Sequence, residues 1–243
     1  MKKRLLLTGL LLTLTVSVAL AGGVNFNWGT VCYTENPVSA VTFACNTNAM
    51  YSLSWPMTAS FVIDNVIPDF VGVEIHIEGQ SDLPALPDWW KLGAWPDCRA
   101  NRVQFQADTS SAPQTSCFDW TGGSAVSGFS YTWDTNRAHI DAVAAIPAEF
   151  LFDMHSGVEY YAGRVTILNS KTAGAGACPG CSAGMLWVLY SVVAYGNDGQ
   201  REVQAEPIPG GNVCLSWNNT IRCCYGPTPA RNTTWGQVKS LYR

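Results

Sequence analysis

Apolar and polar residues alternate along much of this chain, most regularly between Val71 and Glu78. There, four β-branched residues are interleaved with the polar residues Glu74, His76 and Glu78. Since successive side chains of a strand point to opposite faces, this pattern predicts a strand with one buried and one exposed face. Six further runs are rich in strand-forming residues: Thr58–Asp64, Arg102–Ala107, Ser127–Trp133, Arg137–Ile146, Val158–Asn169 and Gly184–Tyr195.

Turn-forming residues separate these runs. Asn197-Asp198-Gly199 predicts a tight turn, which lets the strand before it pair with Glu202–Ala205 as a hairpin. Helical periodicity is scarce: one turn is predicted from Asp88, as its N-cap, to Gly93, and a second is a candidate within Pro147–Met154. Seven or more short strands without strand–helix alternation predict an all-β fold, a disulfide-supported antiparallel β-sandwich or jelly roll.

The first residues of the chain predict export. Lys2, Lys3 and Arg4 precede an uncharged run from Leu5 to Leu20, and Ala19-Leu20-Ala21 offers the small residues of a signal-peptidase site. The mature chain is therefore expected outside the cytoplasm, as a secreted, extracellular or periplasmic protein. The predicted organisation is a signal peptide over residues 1–21, a β-sandwich over 22–205, a cysteine-rich extension over 206–226, and a linker with a C-terminal tail over 227–243.

Charge narrows the classes of partner. Removing the leader takes three of the 14 basic residues and none of the 18 acidic ones, which leaves a net charge of about −7. Nucleic acids and anionic membranes are bound through basic surfaces, so neither is an expected partner. No apolar run after the leader approaches the ~18 residues that a membrane-spanning helix requires.

The nine cysteines all follow the predicted cleavage site. In an oxidising compartment they are expected to form disulfides, and an odd number leaves at least one unpaired, paired between chains or modified. Short spacing favours Cys32–Cys45, Cys98–Cys117 and Cys178–Cys181, with Cys214 bonded to Cys223 or Cys224. For Cys178-x-x-Cys181, a structural disulfide is favoured over a redox pair or a zinc site, because glycine- and alanine-rich loop surrounds it.

Trp89, Trp90 and Trp95 fall within seven residues, among prolines and close to Cys98. Exposed indole rings on a rigid loop stack against sugar rings, so this loop is a candidate glycan-binding site. Tryptophan is usually buried, however, and the alternative is that the three rings close one end of the sandwich.

Catalytic signatures are absent from the sequence. Glu74-x-His76-x-Glu78 places an imidazole between two carboxylates, and Arg137-x-His139-x-Asp141 is similar, but such alternation is also typical of a solvated strand face. We therefore predict no metal and no cofactor. Acids for glycoside hydrolysis are plentiful but cannot be paired from sequence; the candidates are Glu74, Glu78, Asp119, Asp134, Asp153 and Glu159.

Three short motifs carry a resemblance. They are Asn27-Trp28-Gly29, the Cys178-Pro-Gly-Cys181 pair after a Lys-Thr-Ala-Gly loop, and the closing Thr-Trp-Gly-Gln-Val-Lys-Ser-Leu-Tyr-Arg. Together they resemble a group of secreted proteins of environmental bacteria with no assigned activity. The resemblance implies secretion and supplies no mechanism.

The tail itself is aromatic and basic in an otherwise acidic protein, and a sorting machine or a partner could read it through Trp235, Lys239, Tyr242 and Arg243. We therefore predict an exported, non-enzymatic binding or cell-surface protein, whose partner is a glycan or an envelope protein. Two alternatives remain: a secreted hydrolase that uses paired carboxylates, and a surface-assembly protein with a C-terminal sorting tail.

Overall fold

The computed structural model describes residues 22–32, 38–48, 55–109 and 116–218. Nearly all regular structure in these residues is β-strand. The strands are β1 (Gly23–Trp28), β2 (Ala40–Val41), β3 (Trp55–Val62), β4 (Ile67–Ser81), β5 (Val103–Gln106), β6 (Val126–Asp134), β7 (Arg137–Ala145), β8 (Phe152–Met154), β9 (Tyr160–Ile167), β10 (Met185–Gly196), β11 (Arg201–Gln204) and β12 (Cys214–Trp217).

The strands form two sheets that enclose one core. The smaller sheet has the order β1-β3-β9-β5, and the larger has the order β2-β12-β10-β4-β7-β6, with β11 beside β10 and β8 beside β4. All pairs are antiparallel except β2 with β12. The predicted all-β antiparallel sandwich is thus confirmed.

Strand β4 shows why alternation predicts the sheet. Val73, Ile75 and Ile77 face the core with exposures of 3%, 1% and 4%, while Glu74 and His76 lie on the opposite face with about a third of each side chain exposed. Burying one such aliphatic side chain contributes about 1.5–3 kcal/mol, so a one-residue shift in register would be strongly unfavourable.

The predicted hairpin after β10 is also present. Its register runs from Val192 paired with Gln204 to Tyr195 paired with Arg201. Gly199 has a φ of 82° in the turn, a left-handed conformation that glycine adopts without a steric penalty.

The two short helical predictions need correction. Asp88–Trp90 is a single 3₁₀ turn whose N-cap is Pro87, so Asp88 is not the cap, and the turn ends at Lys91 rather than Gly93. The Asp88 carboxylate accepts a hydrogen bond from Lys91 Nζ at 2.8 Å instead. In the second candidate, only Ala148–Phe150 forms a 3₁₀ turn, and β8 follows it directly.

The sandwich extends beyond its predicted boundary at residue 205. Strand β12 pairs with the first residues of β10, and its Leu215 and Trp217 are fully buried. The intervening segment lies along the free edge of β1, where Val24 N donates to Glu206 O at 2.8 Å. The sequence did not predict this extension of the sandwich, because apolar and polar residues do not alternate in the segment between β11 and β12. The predicted signal peptide, Cys223, Cys224 and the C-terminal tail lie outside the described residues.

Candidate binding surfaces

The tryptophan-rich loop divides into a buried part and an exposed part. Trp89 and Trp90 are completely buried, whereas Trp95 is 86% exposed. The prediction of a three-ring glycan platform is therefore wrong for Trp89 and Trp90, because neither ring face can reach a ligand. Their position agrees with the alternative prediction that they close one end of the sandwich.

Trp89 and Trp90 belong to a tryptophan cluster, which we define as Trp28, Trp89, Trp90, Trp217 and Phe43. Trp217 lies at its centre: its ring centroid is 4.7 Å from that of Trp90, 5.2 Å from that of Trp89 and 3.6 Å from that of Phe43. Such edge-on and stacked pairs stabilise a fold beyond the area they bury, by about 0.5–1.5 kcal/mol each. The cluster is therefore a structural element rather than a ligand site.

A buried arginine holds this end of the sandwich together. The guanidinium of Arg99 lies 3.6 Å from the ring centroid of Trp89. It donates hydrogen bonds to Trp89 O at 2.8 Å, to Ser170 O at 3.0 Å and to Leu168 O. Burial lowers the pKa of Arg99 to about 9. Arg99 thus joins the tryptophan loop to the segment that follows β9.

Around Trp95, the polar side chains of Asp88, Lys91 and Asp97, which could otherwise serve sugar hydroxyls, already bond to other residues. Asp97 Oδ2 accepts hydrogen bonds from Gly93 N and from Trp133 Nε1, each at 3.0 Å. Lys91 Nζ lies over the Trp133 ring at 4.7 Å and is bonded to Asp88. Trp95 therefore stands out as a single exposed ring rather than as part of a stacked pair.

The disulfides join distant segments, and all three short-range pairings predicted from spacing are wrong. The observed bonds are Cys32–Cys117, Cys45–Cys181 and Cys98–Cys178, with sequence separations of 85, 136 and 80 residues. Proximity in sequence misled because loops from different strands meet at the ends of a sandwich. Cys214 is disulfide-bonded as well.

The Cys178-x-x-Cys181 motif is therefore neither a closed dithiol pair nor a redox pair. Cys178 bonds to the tryptophan loop through Cys98, and Cys181 bonds to Cys45 beside the tryptophan cluster. Trp217 Nε1 also donates to Cys181 O at 3.0 Å. The motif anchors two separate segments onto one turn.

The outer face of the larger sheet, which points away from the core, contains four histidine–carboxylate contacts in the described part of the chain. Strand register aligns its side chains in five rows across the strands. From one end to the other, the rows are Arg201-Tyr195-Gly72-Ala145-Val126, Val203-Val193-Glu74-Val143-Gly128, Ser191-His76-Asp141-Ser130, Val188-Glu78-His139-Thr132 and Leu186-Gln80-Arg137-Asp134.

We call the last three rows the ionic end. His76 lies between two carboxylates, with Nδ1 2.8 Å from Asp141 Oδ1 and Nε2 3.4 Å from Glu74 Oε1. Glu78 pairs with Arg137 at 3.0 Å and with His139 at 3.8 Å. Exposed ion pairs contribute little to stability, typically about 0–1 kcal/mol, so this network adds little to the stability of the fold.

In the part of the chain that the structure describes, no group of three or more histidine, cysteine or acidic side chains is arranged to hold a metal ion. The Glu74-x-His76-x-Glu78 and Arg137-x-His139-x-Asp141 sequences instead alternate on neighbouring strands and pair with each other.

We call the first two rows of the outer face the apolar end. Val126, Val143 and Val203 are 74%, 52% and 53% exposed, although the strand of Val143 buries Ala142 and Ala144 on its opposite face. A shallow depression of about 620 Å³ lies between strands here. It exists partly because Gly72 and Gly128 add no side chain to the sheet surface.

Tyr195 joins the apolar end to the ionic end. Its hydroxyl donates to Glu74 Oε2 at 2.7 Å, and this contact raises the pKa of Tyr195. Glu74 in turn contacts His76, so one carboxylate links the wall of the depression to the charged rows.

The carboxylates nominated for hydrolysis are each held by a structural donor. Asp119 accepts hydrogen bonds from the backbone and hydroxyl of both Thr109 and Thr121; burial opposes its ionisation, but these four bonds outweigh it and lower its pKa. Ser60 donates to buried Glu159 at 2.5 Å, and Asp69 N donates to Asp153 at 3.2 Å. Glu74, Glu78 and Asp134 belong to the outer face described above.

Sequence reasoning missed the exposed valines of the apolar end. A signal was available: in Arg137–Ala145, Val143 occupies the same alternating positions as Arg137, His139 and Asp141, which were assigned to the exposed face. An aliphatic residue on the exposed positions of an amphipathic strand marks a surface that is not fully solvated.

The fold is similar to the second type II cohesin module of the cellulosomal adaptor ScaA scaffoldin of Acetivibrio cellulolyticus, with a TM-score of 0.36 and 9% sequence identity over 75% of this chain and 89% of that chain. No protein-family model matches the chain, and no curated protein matches it. In the described residues, no helix is long and apolar enough to cross a membrane.

Proposed function

We propose that this chain is an exported, non-enzymatic protein-binding module of the cell surface, and that it binds its partner through the outer face of the larger sheet. The observation that carries the proposal is the apolar end. Three valines there are more than half exposed, and two of them, Val126 and Val143, line a depression in the surface of the sheet.

The outer face has the anatomy of a protein interface. Apolar residues at one end adjoin an ordered set of charges at the other, and specific interfaces combine an apolar centre with polar, charged surroundings. The ionic end supplies the charge pattern that rejects wrong partners. A protein surface complements this arrangement better than a glycan does, because sugar recognition relies on stacked aromatic rings and the paired tryptophans here are buried.

Two features support export. Three disulfides that cross-link distant segments are typical of oxidising compartments. In addition, Gly22 N lies 2.8 Å from Asp64 Oδ1. Cleavage after Ala21 would turn this nitrogen into an α-ammonium group, and the hydrogen bond would become an ion pair. Sequencing the N-terminus of the exported protein checks this directly, with Gly22 expected as the first residue.

Binding to whole cells tests the function. Labelled mature protein is titrated onto cells of the producing organism that lack the gene, and the saturable fraction is measured. We expect Val143→Arg to weaken binding at least tenfold, which corresponds to about 1.4 kcal/mol, because it places a charge in the apolar depression. Trp95→Ala is the matched control, since it removes a large exposed side chain elsewhere and should leave binding unchanged.

Pre-treatment of the cells separates the two classes of partner. If the partner is a protein, protease treatment of the cell surface abolishes binding and soluble glycans do not compete. Equal binding by wild type and Val143→Arg, or a loss of binding only in Trp95→Ala, would contradict the proposal and favour the glycan hypothesis.

A further inference from the structure

Strand β6 is the outer strand of the larger sheet and is unusually open for its length. It has nine residues, every one of them exposed or half-buried. Its pairing with β7 is continuous from Val126 to Asp134, without a bulge, and it contains no proline and no lysine. Long edge strands are normally protected by such features, because an unprotected edge pairs readily with another strand.

The hairpin geometry identifies the backbone groups that face outward. Asp134 pairs with Arg137 across a two-residue turn, which makes these two the first hydrogen-bonded pair. The N–H and C=O groups of Ser127, Phe129, Tyr131 and Trp133 therefore point away from β7. Among the described residues, none of these groups takes part in a backbone hydrogen bond outside the strands.

A groove accompanies the open part of this edge. It has a volume of about 440 Å³ and is lined by Val103 of β5, by Phe129 and Tyr131 of β6, and by the segment around Gly93. Phe105 and Phe129 approach to 6.4 Å between ring centroids across the side of the sandwich. The groove therefore separates the edge strands of the two sheets, with backbone donors and acceptors of β6 on one wall.

Other edges of the two sheets are short or covered. The edge of β1 is bonded to Glu206, Ile208 and Asn212 of the segment before β12, and also to Val38. Strands β5 and β11 have four residues each, and β2 has two. The outer edge of β6 is by contrast long and uncovered in the described residues. Its outward N–H and C=O groups are suited to pairing with an extended polypeptide.

We propose that the C-terminal segment Thr233–Arg243 of the same chain occupies this groove as an added strand beside β6. Strand addition would satisfy the outward backbone groups of Ser127 and Phe129, and alternate side chains would enter the groove. The groove lies beside the outer face and shares its border at β6, but the proposal does not depend on the partner proposed for the outer face.

Charge and alternation favour this segment. Thr233–Arg243 contains no acidic residue, and its two basic residues, Lys239 and Arg243, fall on the same side of an extended strand. The opposite side carries Val238 and Tyr242, which match the aromatic groove, whereas Trp235 and Leu241 share the basic side. On the outer face near β6, the exposed carboxylates of Asp141 and Asp134 complement the basic side.

The segment can reach the groove. Ser216 of β12 lies in the same row as Asp134 of β6, four strands apart. Four strand spacings amount to about 19 Å, and the distance along β6 to Phe129 adds about 17 Å. The 14 residues from 219 to 232 span up to about 46 Å when extended, so the path is long enough.

Hydrogen exchange of the β6 region tests the proposal. Mature protein with intact disulfides is compared with the same protein ending at Asn232, and exchange is followed by mass spectrometry in fragments covering Val126–Asp134. We expect the truncation to accelerate exchange of the edge amides at least tenfold, because they lose their hydrogen-bond partners. A synthetic peptide of Thr233–Arg243, added to the truncated protein, should restore the protection.

Two matched controls sharpen the test. Ser127→Pro removes an outward N–H without removing a bond to β7, so it should mimic the truncation, whereas Ser127→Ala should behave as wild type. A peptide of the same composition, reordered so that its two basic residues fall on opposite sides, should not protect the edge amides from exchange.

Identical exchange in the full-length and truncated proteins would overturn the proposal. Protection that survives truncation, or that rises with protein concentration, would also overturn it and would point to a second copy.

Discussion

The tryptophan cluster and the apolar end of the outer face both contain large apolar side chains, but the fold treats them in opposite ways. At the cluster, Trp89, Trp90 and Trp217 are completely buried, with Arg99 and two disulfides beside them. At the apolar end, Val126 and Val143 remain more than half exposed. The cluster therefore stabilises the sandwich, whereas the apolar end contributes little to its stability and remains in contact with solvent.

We expect the largest difference in the free energy of unfolding between substitutions of Trp90 and Trp95, which belong to the same loop. Trp90→Ala should lower the free energy of unfolding by about 3–5 kcal/mol, because it opens a cavity in a packed aromatic cluster. Trp95→Ala should change it by less than about 0.5 kcal/mol, as expected for an exposed side chain. Urea denaturation of both variants measures the difference, and similar costs would remove the distinction between the two parts of the loop.

The second prediction concerns the Cys98–Cys178 bond, which closes a long loop beside the cluster. Replacing both cysteines by serine should lower the free energy of unfolding by about 2–4 kcal/mol, since the unfolded chain regains conformational freedom. Mass spectrometry of Cys98→Ser should detect Cys178 as a free thiol rather than bonded to Cys181. A new Cys178–Cys181 bond would show that the wild-type pairing is not imposed by the fold.

A smaller effect is expected at Asp119, away from both regions. Asp119→Asn should cost about 1–2 kcal/mol at neutral pH, because the bonds from Thr109 and Thr121 lose their charge assistance. The folded state lowers the pKa of Asp119, so its contribution is complete above the ordinary carboxyl value near 4 and is lost as the pH falls through the lower folded value.

Acid denaturation measures this contribution. Wild type should lose more stability than Asp119→Asn between about pH 4 and the lower folded pKa, and the two proteins should converge at more acidic pH. Parallel stability curves across this range would contradict the assignment of Asp119 as a structural carboxylate.

The smallest effect on stability is expected at the apolar end itself. Val143→Arg should change the free energy of unfolding by less than about 0.5 kcal/mol, because the side chain is already in contact with water. The buried neighbour on the same strand provides the contrast: Ala142→Arg should prevent folding, since it would place a charge inside the core. Circular dichroism thermal melts of the two variants distinguish these outcomes.

Much of the fold could be predicted because local patterns encode it. Strand β4 and the hairpin after β10 follow from alternation and from an Asn-Asp-Gly turn, both of which act over a few residues. Strand β12 was missed because its four residues give too short a pattern. The disulfides were mispaired because their partners meet only after both sheets have formed.

The site was harder to predict than the fold, because exposure depends on what covers each side chain. Nothing local distinguishes Trp90 from Trp95, yet one is buried among other rings and the other faces solvent. The position of Val143 in an alternating strand carried a signal of its exposure, but sequence reasoning missed it. Val143 and Val203 lie in the same row of the outer face only because of the order of the strands in the sheet. Alternation along a single strand does not predict that order.

The most direct test of the account is photocrosslinking on living cells. A photoreactive amino acid is placed at Val143 on the apolar end or, as a control, at exposed Ala85 after β4, and the two proteins are bound to cells that lack the gene. We expect the Val143 probe to form one discrete, protease-sensitive adduct and the Ala85 probe to form none. Equal adducts from both positions, or none from Val143 while the protein remains bound, would contradict it.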